Sequence, residues 1–256
     1  MKITHKFLIL LFLTASMVSC KKEINYKADR TFPGNDAALL KINYVSAYAL
    51  NPSVQLVVNG QRVSNLIGFR TPFPGGGYNT NGSNYPDYLS IPSGGVTFAV
   101  TIPKKNTNTD SIVLFNTNFT VDALKNYTLH VGDTSTKTKT FLASDDFTVP
   151  APGMARFKFV NMMPNVPNID LYFNTTLVAA GVSYLGTSLY FDMPVPSAVG
   201  TWSIRESGSS ATSTALATYG SLNTTQSQRV YTAFSCGYKG STATNTKPYI
   251  SFLLNR

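Results

Sequence analysis

Apolar side chains alternate with polar ones in short runs along most of the chain. Val54–Val58, Ile169–Phe173 and Arg156–Val160 each place an apolar residue at every second position. Successive side chains of a strand point to opposite faces, so this alternation predicts half-buried strands. Helical periods are missing, and Val121–Lys125 has the composition of a turn at most. With Thr, Val, Tyr and Phe abundant between Gly, Pro and Asn, the pattern predicts an all-β protein of antiparallel, Ig-like β-sandwiches.

The strand pattern occurs twice along the chain. Matching positions 115 residues apart are Val45 and Val160, Val54 and Ile169, and Asn59 and Asn174. Further on, Tyr88–Pro92 matches Tyr190–Pro194 at an offset of 102, so the first copy carries 13 extra residues in between. A match of this length predicts an internal duplication.

The duplication suggests a domain organisation with two tandem small sandwiches. The predicted segments are a signal peptide over 1–19, a lipidated tether over 20–36, a first β-sandwich repeat over 37–149, a Pro-rich linker over 150–153 and a second repeat over 154–256. A short linker rich in proline is stiff, and few apolar residues cross it. We therefore expect the two repeats to fold as separate domains.

The N-terminus has the features of a lipoprotein signal. A short basic region precedes the apolar run Phe7–Leu13, which suits a signal peptide and is too short to span a bilayer. Met17-Val18-Ser19-Cys20 resembles the lipobox of bacterial lipoproteins. This resemblance implies cleavage before Cys20 and attachment of lipid to its thiol, which anchors the mature protein to a membrane.

The residues after Cys20 bear on localisation. The start Cys-Lys-Lys-Glu resembles lipoproteins of Bacteroidota-type bacteria, and Lys21 replaces the Asp that retains some lipoproteins at the inner membrane. We therefore expect attachment to the outer membrane, at either its periplasmic or its cell-surface face.

The charge of the chain is basic but dispersed. Of 21 basic and 12 acidic residues, 6 and 3 precede residue 37, which leaves 15 basic and 9 acidic residues in the repeats. The basic residues occur singly and form no block of the kind that binds nucleic acid. A mild preference for anionic surfaces is the inference that this composition supports.

Residues that could perform catalysis are sparse. His130 is the single histidine after the signal, Glu206 is the single glutamate of the repeats, and Cys236 lies in an apolar run that predicts a buried, inert thiol. Asp145 and Asp146 are expected to be solvated or to form a weak calcium site. A histidine zinc site, a serine triad and a carboxylate pair are all disfavoured, so we expect no catalytic residues, metal or cofactor.

The 13 extra residues of the first copy lie within a loop over Arg70–Asp87. Long loops on rigid β scaffolds often carry function. Tyr78 and Tyr85 could stack on sugar rings while Asn79 and Asp87 bond hydroxyl groups. The alternative is a packed loop whose aromatic side chains cover a sheet edge. Because the second copy closes without these residues, the ligand hypothesis expects their removal to leave stability nearly unchanged.

A family resemblance rests on three segments of the second copy. Arg156–Asn161, Pro167–Asn174 and Tyr190–Pro194 resemble the repeats of the bacterial family called domain of unknown function 4397. Asn161-Met162-Met163-Pro164 replaces a His-Ala-Ser-Pro-like element of that family. The resemblance covers both copies and implies an extracytoplasmic β-sandwich module. The family has no established catalytic residues, so the resemblance assigns none here.

These observations favour a cell-envelope lipoprotein that acts as a non-catalytic binding or structural module. Its expected partners are the membrane, through the lipid on Cys20, and a glycan or surface protein. A glycan-binding accessory lipoprotein of a polysaccharide-uptake system is the alternative, and a hydrolase is a more distant one.

Overall fold

A computed structural model describes residues 34–104, 110–195, 200–220 and 225–256. The predicted signal peptide, Cys20 and most of the tether lie outside these residues. Across the described ranges, no helix is both long and apolar enough to span a membrane.

The described residues form strands and one short 3-10 helix, Ser135–Lys137. The strands of the first half are β1 (Ala37–Tyr44), β2 (Gln55–Val58), β3 (Gln61–Arg62), β4 (Thr71–Phe73), β5 (Leu89–Pro92), β6 (Gly94–Pro103), β7 (Asp110–Val121), β8 (Asn126–Gly132) and β9 (Lys139–Ser144). Those of the second half are β10 (Met154–Asn161), β11 (Asn168–Phe173), β12 (Thr176–Ser183), β13 (Gly186–Thr187), β14 (Phe191–Pro194), β15 (Thr201–Glu206), β16 (Ala217–Gly220), β17 (Val230–Cys236) and β18 (Tyr249–Leu254).

Each half is a sandwich of two sheets, and the two halves share one topology. The first half pairs its strands in the orders β3-β2-β6-β7 and β4-β1-β8-β9, with β5 also on β1. The second half repeats this as β12-β11-β15-β16 and β13-β10-β17-β18, with β14 also on β10. The predicted all-β class is confirmed. We call the sheets that contain β1 and β10 the inner sheets, and the other two the outer sheets.

The inner sheets are mixed and not wholly antiparallel. β1 runs parallel to β8, with Lys41 opposite Thr128, and β10 runs parallel to β17, with Lys158 opposite Thr232. A parallel pair needs a long crossover, which the strands of the outer sheet supply here. Alternation along one strand shows which face is buried but carries no information on the direction of its neighbour, so the sequence pattern missed this pairing.

Strand pairing tests the offsets of the duplication. Val54 bridges Ile67 as Ile169 bridges Val182, which confirms the offset of 115 in this region. In the first strand of each copy the equivalent residues are Lys41 and Lys158, which are 117 apart. The match of Val45 with Val160 was therefore wrong, because two more residues separate Tyr44 from Val54 than separate the equivalent Asn161 from Ile169.

Each sandwich encloses its own apolar core. The first core takes side chains from both sheets, including Leu40, Ile42, Leu56, Phe98 and Val100. The second is richer in aromatic residues and includes Phe157, Phe159, Trp202, Tyr231 and Phe252. Trp202 is fully buried and lies with its ring centroid 4.9 Å from those of Phe157 and Phe173.

The two inner sheets also pack against each other, so the four sheets form consecutive layers. β1 and β17 are buried at every position, which requires cover on both faces. A third apolar cluster joins the halves and contains Val45, Ala47, Phe69, Val160, Met162, Phe234, Cys236 and Leu253. The residues from Gly34 onward form one compact unit. Separate folding of each half stays a prediction.

Candidate functional site

The loop over Arg70–Asp87 crosses from the first sandwich to the second. Its beginning contains β4, which pairs with β1. Further along, the backbone N–H of Tyr78 donates to Phe252 O at 2.8 Å, and the N–H of Phe252 donates to Tyr78 O at 3.0 Å. The loop thus adds a two-hydrogen-bond bridge to β18, the edge strand of the other inner sheet.

Side chains of the loop strengthen this bridge. Asn79 donates from Nδ2 to Ile250 O at 2.7 Å, and Ser251 Oγ donates to Asn79 O at 2.7 Å. The Tyr78 ring lies 6.2 Å from that of Tyr231, between centroids. Tyr78 and Asn79 therefore have packing partners within the protein.

The other two loop residues face solvent. Tyr85 is 64% exposed and Asp87 is exposed as well, so the structure does not gather the four candidate residues into one site.

The backbone of the loop beneath Tyr85 and Asp87 is closely packed. Gly76 has φ of 92°, and a Cβ there would overlap the carbonyl oxygen of Tyr85 and Nζ of Lys41. Glycine is required at this position both for its dihedral angle and for the close approach.

A buried ion pair lies between the inner sheets. Lys158 Nζ is 2.7 Å from Asp145 Oδ1, and the two side chains are 2% and 0% exposed. Tyr88 Oη and Thr128 Oγ1 donate to the other carboxylate oxygen at 2.9 and 2.6 Å. Burial is the largest single influence on Lys158 and opposes its charged form, but the Asp145 carboxylate and Tyr190 together outweigh it, so the pKa of Lys158 is raised.

The expectation of a solvated Asp145–Asp146 pair was therefore wrong. Asp145 points between the sheets to Lys158, whereas Asp146 binds Arg156 at 3.1 Å near the surface. Adjacent residues of an extended segment point to opposite sides, which separates the two carboxylates.

A second buried lysine occupies the equivalent position of the first half. Lys41 Nζ donates to Gly75 O at 2.8 Å and to Leu254 O at 3.1 Å, and it lies 4.6 Å from the centroid of the Tyr88 ring. Likewise, Lys158 donates to Ser144 O at 2.6 Å and lies 5.3 Å from the centroid of Tyr190. Each lysine thus binds the end of the last strand of the other half, in an approximately twofold arrangement.

His130 belongs to the same layer. The ring is fully buried, and its Nδ1 accepts a hydrogen bond from Asn43 Nδ2 at 3.0 Å. Burial lowers the pKa of His130 to about 3; the charge of Lys158 adds to this effect and that of Asp145 partly offsets it. The position suits a neutral structural histidine and not a general base at neutral pH.

The buried state of His130 makes stability depend on pH. The unfolded chain takes up a proton near pH 6.5, whereas the folded chain does so only near pH 3. The contribution of His130 to the free energy of unfolding is complete above pH 6.5. It is lost as the pH falls from about 6.5 toward 3, at about 1.4 kcal/mol per pH unit. Urea unfolding at pH 6.5 and 5.0 should show this slope, and the non-titrating His130→Asn variant should show a smaller one. Equal slopes in both proteins would contradict the assignment.

The other residues considered for catalysis are buried or have partners within the protein. Cys236 is fully buried, as predicted, and burial raises the pKa of its thiol to about 12. Glu206 ends β15 and binds Lys239 at 2.7 Å. No group of three potential metal ligands occurs in the part of the chain that the structure describes.

A mostly apolar cleft opens on the second sandwich. It has a volume of about 520 Å³ and lies between the edge strands β12 and β14, lined by Phe173, Thr176, Val178, Phe191, Asp192, Met193 and Pro194. Both oxygens of Asp192 accept hydrogen bonds from Arg156. Clefts of this size can hold a small ligand, and the contact of Phe173 with Trp202 connects the cleft to the single tryptophan.

Reasoning from the sequence missed the two buried lysines and Tyr88. A signal was present, since each lysine lies between apolar residues at the equivalent position of both copies. The ungapped offset of 115 concealed it, because at that offset Lys41 matches Arg156.

Comparison with known proteins identifies one family and several distant structures. The family model described as Domain of unknown function (DUF4397) matches residues 41–172, from β1 to β11. Comparison with curated proteins gives no match.

Solved structures resemble the chain only distantly. Family 41 carbohydrate-binding modules from streptococcal virulence factors that recognise alpha-glucan are 11% identical over 80% of this chain and 94% of theirs, with a TM-score of 0.24. An alpha-glucan-binding streptococcal virulence factor has the same identity and coverage, with a TM-score of 0.23. A leucine-rich repeat protein from Bacteroides thetaiotaomicron is 17% identical over 73% of this chain and 24% of its own, with a TM-score of 0.18. Scores this low do not establish a shared fold.

Proposed function

The chain belongs to the DUF4397 family, and from that premise we propose that it is a non-catalytic binding or structural module of the cell envelope, held by a lipid on Cys20. The proposal concerns the mature protein after removal of residues 1–19.

One observation carries the non-catalytic part of the proposal. The buried titratable side chains of the inner layer, Lys41, His130, Asp145 and Lys158, contact strand ends, a carboxylate or an amide between two packed sheets. Catalysis requires such groups to meet a substrate in an accessible site. Groups enclosed between sheets support the packing of the layers instead.

Screens against many glycans and envelope proteins can test whether the protein binds a ligand. We expect the unlipidated mature chain to retain a glycan or an envelope protein in array and pull-down assays, and to hydrolyse none of the bound glycans. Trp202 provides a readout for the cleft, because a ligand against Phe173 changes the surroundings of the indole ring. Product formation that depends on His130 or Glu206 would contradict the proposal.

The anchor is tested at Cys20. We expect Cys20→Ala to abolish fatty-acid labelling and membrane pelleting, since its thiol is the one that the lipobox-like segment presents for acylation. Cys236→Ala is the control and should leave labelling unchanged, because Cys236 is enclosed in the fold. A labelled, membrane-bound Cys20→Ala protein would overturn the lipoprotein assignment.

Glycan binding at the loop is the second candidate function. The exposed Tyr85 and Asp87 favour it, because they lie on a backbone that the bridge to β18 holds in place. Tyr85→Ala should weaken a glycan complex by about 1 kcal/mol, the value of an aromatic contact, while leaving the melting temperature unchanged. Unaltered glycan affinity in Tyr85→Ala would exclude this loop as the contact.

A further inference from the structure

Loops of both halves meet at one end of the molecule. Tyr238 Oη donates to Asp133 Oδ1 at 2.5 Å, which joins the loop after β17 to the loop after β8. Asn245 donates to Ala49 O, and Asn51 accepts from the N–H of Phe69. We define the distal loop surface as residues 46–53, 63–70, 133–139 and 237–248 with the adjoining ends of β6 and β7. It lies opposite the start of β1 at Ala37, where the N-terminal segment joins the fold.

Aliphatic side chains project from the tips of these loops. Leu50 lies in a turn and is 95% exposed. Leu66, Ile112 and Val113 are also exposed, the last two where β7 pairs with the end of β6. Exposed aliphatic residues at one end of a protein are costly to leave in water and can mark a contact surface.

The same surface is basic. Lys137, Lys139, Lys239 and Lys247 are exposed. Two carboxylates contact this surface: Asp133 accepts from Thr134 N–H and Tyr238, and Glu206, beside it, binds Lys239. Lys137, Lys139 and Lys247 supply the remaining positive charge. At the opposite end the charges are mixed, as shown by Arg156 between Asp146 and Asp192.

We propose that the distal loop surface docks onto an anionic lipid bilayer. Peripheral membrane binding combines insertion of apolar side chains with attraction of lysines to anionic headgroups, and this surface carries both. Sugar recognition relies on aromatic platforms, whereas the exposed tips here are aliphatic. This contact is additional to the proposed lipid anchor and does not depend on it.

The chain length outside the described residues permits both contacts on one membrane. Fourteen peptide units separate Cys20 from Gly34 and span at most about 50 Å. The ten residues of β6 span about 33 Å along the sandwich. An anchored protein can therefore turn its distal loops toward the bilayer that holds its lipid.

Vesicle flotation tests the proposal with the full mature chain in which Cys20→Ser removes the lipid. We expect binding to vesicles of equal parts phosphatidylglycerol and phosphatidylcholine, and little binding to phosphatidylcholine alone. Leu50→Asp should reduce binding about tenfold or more, as expected for loss of one buried leucine. Leu189→Asp is the matched control, because Leu189 is 89% exposed between β13 and β14 and away from the loops.

Two lysine substitutions provide a second comparison. Lys247→Gln should weaken vesicle binding, while Lys125→Gln, beside the start of β1, should not. The proposal is overturned if the vesicles are not bound, if phosphatidylcholine alone binds equally well, or if Leu189→Asp is as harmful as Leu50→Asp. Capture of a soluble acidic glycan by the same loops without vesicle binding would also overturn it.

Discussion

Replacing Lys158 by Met is expected to lower the free energy of unfolding by about 3–5 kcal/mol. The substitution leaves the Asp145 carboxylate between two sheets without its cation, and Ser144 O loses a hydrogen bond of 2.6 Å. A buried charge that has lost its partner is among the most destabilising single changes. Urea unfolding at pH 7 measures the difference, and the melting temperature should fall by about 10 °C.

Two further variants test whether the loss of stability comes from leaving the Asp145 carboxylate unpaired. Arg156→Met breaks the more exposed pairs with Asp146 and Asp192 and should cost about 1 kcal/mol or less. The double variant Lys158→Met with Asp145→Leu should recover much of the loss, since it buries no unpaired charge. If Lys158→Met costs no more than Arg156→Met, the ion pair does not contribute to the contact between the inner sheets.

Deleting Pro74–Pro86 is expected to lower the free energy of unfolding by about 5 kcal/mol, at about 1 kcal/mol for each hydrogen bond lost. The deletion removes both backbone bonds between Tyr78 and Phe252, the two Asn79 bonds to Ile250 O and Ser251 Oγ, and the Gly75 acceptor of Lys41. Thermal and urea unfolding measure the loss. This result reverses the near-neutral outcome that the ligand hypothesis expects from the sequence.

Single substitutions separate packing from loop length. Tyr78→Ala removes a half-buried ring beside Tyr231 and should cost about 2 kcal/mol. Tyr85→Ala removes an exposed ring of the same loop and should change stability by less than about 0.5 kcal/mol. A deletion variant that melts with the parent would show that the bridge to β18 is dispensable and would restore the loop as a free ligand-binding element.

The sequence by itself determined the all-β class and the repeated strands. Alternation over Val54–Val58 and Ile169–Phe173 reflects the period-two geometry of a strand, which is a local property. Asn59 and Asn174 also take the same role, each with positive φ and each accepting a backbone N–H, from Thr97 and Thr201 respectively. Because a local conformation of this kind favours particular residues at particular positions, the duplication could be recognised in the sequences of equivalent strands and turns.

Only the tertiary structure decided that the polar faces of the inner strands are buried. Lys41, Thr128 and Lys158 alternate with core residues in the way that solvent-facing positions do, and the sequence indicates water on that face. The second inner sheet takes the place of the water, and Asp145, Leu254 O and Gly75 O supply the partners. These contacts join residues up to 213 positions apart. A strand's own pattern records which side chains are polar, and the partner across the layer decides whether they meet solvent or protein.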